Sequence, residues 1–348
     1  MAKPAALAAA LAAGLLAACA PAPSAARPCA LPAADWERRA PAQLGLNPGA
    51  LRAALDWASR STGSAVAVYR HGCLAGERGA RTRAEGWSLA KSVTSMLAGR
   101  AATLGRLDLD RPIAALYPEA DAAHGALTPR ELLTMTSGLR LDRARDLGSV
   151  PDRVRESLSA PFDHAPGTHW EYAQSPVALL ADTVRRAVGR DFQVFAQDEL
   201  FGRLGIARSA WRWDRDRAGN TEGWAHLRMR PGDWARLGQL MLRRGRWGAR
   251  RLLSERYVSQ ALTRLRVNGG YGLLFWLNGG RSYALPGFVG RARGQLVPAA
   301  PRDLYMMVGR SGQRVYVIPS RDMVLVRMGG PAGLDGELVR RFTAAASR

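Results

Sequence analysis

The chain has 348 residues, 47% of them hydrophobic, with a formal charge of +21 and a pI near 11.3. This is an ordinary globular composition with ample core, long enough for two domains or for one with a large insertion. The positive charge is nearly all arginine, 48 Arg against two Lys, and is spread along the chain. A nucleic-acid binder would gather its cations into a patch or block, so that class is excluded. The charge still allows an outer surface attracted to anionic polymers.

Lys3 and the apolar run from Pro4 to Ala18 form a targeting segment. The run falls short of the ~20 residues a spanning helix requires. Leu16-Ala17-Ala18-Cys19 matches a bacterial lipoprotein signal, in which Cys19 is lipidated and becomes the new N-terminus. The alternative is a plain secretory signal cut near Ala20. The expected organisation is a signal peptide over 1–18, a tether rich in Pro, Ala and Ser over 19–34, and one domain over 35–346. Ala20 is not the acidic residue associated with inner-membrane retention. The expected location is therefore the periplasmic face of the outer membrane, held there by the lipid anchor. Two further cysteines, Cys29 and Cys73, could pair in an oxidising compartment or remain free thiols.

In chain order, periodicity predicts a helix over 48–60 with Pro48 in its first turn. Ser64 to Arg70 alternates as a strand, His71-Gly72 turns, and Cys73 to Glu77 returns. Helical signals dominate from about 87 to 262. A helix opening near Ser88 carries an apolar stripe of Leu89, Val93, Met96, Leu97 and Leu104. Thr128-Pro129-Arg130-Glu131 is a strong helix start, and Thr136-Ser137-Gly138 ends that short helix. Further helices are expected over 176–189 and 233–244, each stopped by Gly. Beyond Asn268-Gly269-Gly270 the pattern turns to strands over 303–308, 313–318 and 323–328, with a closing helix over 334–345. The expected fold is α+β: an antiparallel sheet built from both chain ends, flanked by helices, with a large helical insertion over about 87–262.

The chemistry gathers on Ser88 and Lys91. Once the leader is removed, Lys91 is the one lysine left in a chain that otherwise writes its cations as Arg. Arg stays charged, whereas a buried Lys loses its proton and serves as a base. Ser88, one turn earlier, is a weak nucleophile until such a base takes its proton. Free N–H groups at the helix start favour developing negative charge. Tyr172, in Trp170-Glu171-Tyr172-Ala173-Gln174, is a candidate phenolate or proton relay. Gly309-Arg310-Ser311-Gly312-Gln313, between two predicted strands, can offer a backbone N–H to an oxyanion and a cation to a substrate carboxylate. His164, His169 and His226 lack metal-type spacing and are expected to be structural or wall residues. No metal or cofactor is implied.

Ser-x-x-Lys, Tyr-x-polar, and basic-Ser-Gly before a strand, in that order, resemble the serine β-lactamase and penicillin-binding-protein superfamily. The intervening segments are similar to its class C β-lactamase-related branch of esterases, D-peptidases and 6-aminohexanoate-dimer hydrolases. They include 132–139, 165–168, 200–206, 233–238 and 312–319. The resemblance implies a β-lactamase/transpeptidase-like fold and an acyl-enzyme on Ser88, with Lys91 as base and Tyr172 sharing proton transfer. It also implies an oxyanion hole from the N–H groups of Ser88 and Gln313, with Arg310, Ser311 and Gly312 in the Lys-Thr-Gly positions. Gln174 replaces the usual Asn and Arg310 replaces Lys or His, which weakens the case for β-lactamase activity. The implied substrate is a small or peptide-like ester or amide. A non-catalytic module binding peptidoglycan or a protein partner is the alternative.

Overall fold

A computed structural model describes Met1 and residues 29–346, apart from 33, 63, 64 and 332. The signal segment and Cys19 lie outside the described residues. The first elements are helix α1 (Pro48–Thr62), strands β1 (Ala65–Arg70) and β2 (Cys73–Arg78), the short β3 (Ala84–Glu85) and helix α2 (Leu89–Thr103). His71 and Gly72 turn β1 into β2 with φ of 53° and 76°. Two left-handed residues in succession supply the twist that a tight hairpin needs. From α2 to residue 261 the chain is mainly short helices, interrupted by β4 (Arg212–Trp213), β5 (Leu227–Met229) and the hairpin β6 (Arg246–Trp247) and β7 (Arg250–Arg251). After these come β8 (Trp276–Leu277), β9 (Ser282–Tyr283), β10 (Ala292–Arg293), β11 (Tyr305–Val308), β12 (Arg314–Ile318) and β13 (Met323–Met328), then a helix over Asp335–Ala344.

The main sheet has the order β2-β1-β13-β12-β11-β8, and its described pairings are antiparallel. β1 pairs with β13 (Val66 opposite Arg327), so the sheet's centre joins the two ends of the chain, as expected. Every residue of β12 and β13 is buried, which means that both faces of the sheet are covered there. On one face the helix Pro231–Leu242 lies close, with Gly238 packed over Val315, Val317 and Val324.

Helix α2 departs from the expected single stripe. Twelve of its fifteen residues are buried, whereas Leu104 forms the C-cap and is 41% exposed. The reason lies in its small polar residues. Ser92, Thr94 and Ser95 donate to the carbonyls of Leu274, Gly223 and Leu273 at 2.6–2.7 Å, so they enter the core with their hydroxyls satisfied. Gly99 admits the Tyr257 ring, which would lie 2.2 Å from a Cβ at that position. Other boundaries moved by a few residues: the helix after Thr128 stops at Leu133, before Thr136, and β11 begins at Tyr305. Strands β3 to β10 were not expected. Each has two or three residues, too short to show an alternating pattern.

Cys29 and Cys73 form a disulfide with 5.4 Å between Cα atoms, tying the start of the described chain to β2. The link closes a 44-residue separation, so Cys29→Ala is expected to cost about 2–4 kcal/mol. Comparing thermal unfolding of the variant with that of the oxidised parent checks this, and an unchanged midpoint would contradict it.

Candidate active site

The turn that presents Ser88 is built by close approach. Gly86 donates to Leu227 O at 2.9 Å, and any Cβ on Gly86 would lie 2.3 Å from the Trp234 ring. Trp87 then takes a φ of 50°, uncommon for a bulky residue, and Ser88 follows as the N-cap of α2. The expected first-turn position is thus shifted by one residue. The Ser88 side chain does not cap the helix, which leaves its hydroxyl to the cavity.

Lys91 is 1% exposed. Its Nζ lies 3.1 Å from Ser88 Oγ, donates to Trp224 O at 3.0 Å, and donates to Gln174 Oε1. Burial pulls its pKa down to about 7, against an opposing pull from Asp146 and with a smaller contribution from Arg153. A neutral amine has two N–H donors and one lone pair. Two carbonyl oxygens take the donors here, so the lone pair is left for the Ser88 hydroxyl.

The Tyr172 ring lies 4.9 Å from Lys91 Nζ and packs against Trp170, Tyr271 and Trp276. Burial pushes its phenol upward, more than its hydrogen bond with Ser88 lowers it. Tyr172 is therefore a protonated phenol near neutral pH rather than a phenolate.

Gly309 brings the end of β11 against the serine turn: its Cβ position lies 2.3 Å from Gly86 O. The following turn holds Ser311 at φ 54° and Gly312 at φ 75°, the latter wedged against the carbonyls of Gly329 and Gly330. Two placements follow from this turn. Arg310 is exposed and sits over the Trp87 ring at 5.4 Å, and it is not among the charges acting on Tyr172. The N–H of Gln313 donates across the turn to Arg310 O at 3.3 Å, because β12 starts one residue later, at Arg314. Arg314 carries the buried charge: it donates to Gly309 O at 2.6 Å and pairs with Asp335, which also holds Arg327.

Ser88, Tyr172, Gln174 and Arg310 line one cavity of about 840 Å³, and Lys91 stands behind its wall. A model of the Beta-lactamase family matches residues 49–338. The chain belongs to the β-lactamase family. Esterase EstB of Burkholderia gladioli is 31% identical over a stretch covering 30% of this chain and 32% of that protein, so the match spans about a third of the relative's length. The β-lactamase/D-alanine carboxypeptidase of Pseudomonas syringae has a TM-score of 0.65 at 18% identity, covering 86% of this chain and 99% of that one. A β-lactamase from Mycobacterium bovis has a TM-score of 0.60 at 20% identity, with 85% and 97% covered. These structures share the serine β-lactamase-like fold.

Within this β-lactamase-family site, sequence reasoning missed Asp146. It is buried in the cavity wall and accepts the N–H groups of Gln174 and Ser175 at 2.8 and 3.3 Å. Burial raises its pKa, with opposing pulls from those N–H groups and from Lys91 and Arg153. Trp224, whose carbonyl holds Lys91, was also missed; a backbone acceptor leaves no mark in residue type. His226 lines the cavity, as expected of a wall residue, and with Asp214 and Glu222 brings three ligand-type atoms within 4.8 Å. Arg228 already occupies Asp214 and Glu85 at 2.8 and 3.0 Å, so the group reads as a salt-bridge cluster. His164 and His169 stack on each other at 4.0 Å.

Proposed function

We propose that the chain is a serine hydrolase that cleaves an ester or amide through an acyl-enzyme on Ser88. The observation that carries this reading is the set of partners around Lys91 Nζ, which fits a neutral amine accepting the Ser88 proton. As Ser88 Oγ attacks the carbonyl carbon, its proton passes to Lys91. Tyr172, hydrogen-bonded to Ser88 and protonated, relays a proton to the leaving oxygen or nitrogen as the acyl bond breaks. Water then attacks the acyl carbon and gives a proton to Lys91; Lys91 returns a proton to Ser88 Oγ as the bond from Oγ to the acyl carbon breaks and the acid leaves. Ser88 N–H supplies one oxyanion donor. Gln313 N–H supplies the second when the substrate oxygen displaces its long bond to Arg310 O. Trp87, Trp224 and Trp276 give the cavity aromatic walls, which suit an ester or amide with an apolar acyl or leaving group. Location in the cell envelope through Cys19 rests on the signal sequence.

The test is labelling by a fluorophosphonate probe with Ser88→Ala alongside. Labelling of the parent and loss in the variant is expected; no labelling of the parent removes the hydrolase reading. A second expectation concerns pH. The active form has Lys91 deprotonated, so kcat/KM on a soluble ester rises about tenfold per pH unit below about 7 and levels off above it. A profile flat from pH 5 to 9 would place the base elsewhere.

A further inference from the structure

Four of the eight exposed large apolar side chains among the described residues fall on two segments that reach the cavity: Leu147 on one, and Leu285, Phe288 and Val289 on the other. Leu147 and Leu285 line the cavity itself, and the two segments meet where Gly287 lies against Arg143, with Nη1 3.2 Å from its Cβ position. Phe288 and Val289, 57% and 98% exposed, occupy the tip of a hairpin whose legs are β9 and β10. A monomer in water has no use for a phenyl ring and an isopropyl group at the end of a projecting loop.

The charge around the tip is one-sided. Arg281, Arg291 and Arg293 flank the hairpin and are exposed, and none has an acidic partner among the described residues. From Arg256 to Arg302 the sequence contains seven arginines and no Asp or Glu. Elsewhere arginines are routinely paired, as in Arg140–Asp163 and Arg145–Glu156 close by. An apolar tip with unpaired cations at its base is the pattern of a segment that buries its end among acyl chains while its cations meet anionic headgroups.

We propose that the β9–β10 hairpin is a docking element for an anionic phospholipid surface, which brings the mouth of the cavity against the bilayer. The proposal stands on the exposed surface alone and is independent of the chemistry assigned to Ser88. An acidic protein partner would meet the same arginines but gives no reason for Phe288 and Val289 to face solvent.

Hydrogen exchange of the full chain with vesicles tests this, because it reads the hairpin separately from any attachment through the N-terminus. Vesicles of phosphatidylcholine alone are compared with vesicles containing about one-third phosphatidylglycerol. Amides of 284–290 are expected to slow about fivefold or more on the anionic vesicles and to be unchanged on neutral ones, since each arginine near such a surface contributes about a fivefold gain. Raising the salt to about 1 M, where screening acts within about 3 Å, is expected to remove most of the effect. In the Phe288→Asp/Val289→Asp variant the slowing is lost while thermal unfolding is unchanged. Should that variant fail to fold, Arg291→Ser/Arg293→Ser serves, with the slowing reduced about 25-fold or to nothing. Equal protection on neutral vesicles, no protection on anionic ones, or protection that survives either folded variant would overturn the proposal.

Discussion

Replacing Lys91 by Arg is expected to lower kcat/KM by about 10²- to 10⁴-fold, the range a positioned general base contributes. A lysine that served only as a structural cation would be expected to tolerate the change in part, because Arg keeps the positive charge such a role needs. A guanidinium stays protonated and offers five donors and no lone pair. Gln174 Oε1 and Trp224 O would still find donors, but the lone pair that faces the Ser88 hydroxyl would be gone. The loss should fall on kcat more than KM, and the rising limb near pH 7 should vanish with it. Those two readouts separate loss of the base from simple disturbance of packing. Near-normal turnover by a folded Lys91→Arg protein would remove Lys91 from the mechanism.

Gly309→Ala is expected to damage activity from a position that carries no side chain at all. A Cβ there meets the Gly86 carbonyl at 2.3 Å, and backbone cannot rotate aside as a side chain would. Either the 309–313 turn or the Gly86-Trp87-Ser88 turn must shift, at a cost of about 1–3 kcal/mol for overpacking. A displacement of about 1 Å at the reacting groups is worth about 10²-fold in rate. Gly336→Ala is the matched control. Its Cβ position has nothing within 4 Å, so stability should be unchanged or slightly improved. Rates and unfolding midpoints of the two variants, measured together, decide the matter. Equal behaviour would mean that the close approach at Gly309 is not needed.

The residues that carry chemistry by their type were the most legible. Ser88, Lys91 and Tyr172 are marked by spacing and by one rare lysine, and the structure draws all three to one cavity wall with Gln174. The long strands β1, β12 and β13 were read within one or two residues, because buried sheet leaves an apolar run. Contributions that depend on backbone position were not legible. Trp224 acts through a carbonyl, Gly309 through the absence of a Cβ, and Asp146 through two amides brought to it by folding. Arg310 was legible by type as a cation of the cavity wall, but neither its place over Trp87 nor the buried charge of Arg314, four residues on, was marked in the sequence.

The pairing of β1 with β13 also sets a condition on synthesis. Val66 finds Arg327 only after the 260 positions between them, 67–326, have been made, and β2 rests on β1 in turn. Such long-range contacts are slow to form and cannot reward the chain until its last strand is present. A growing polypeptide therefore holds helix α2 without the sheet that braces it. The cavity is complete only once β13 has been made, and truncations before about residue 328 should yield protein with no organised pocket.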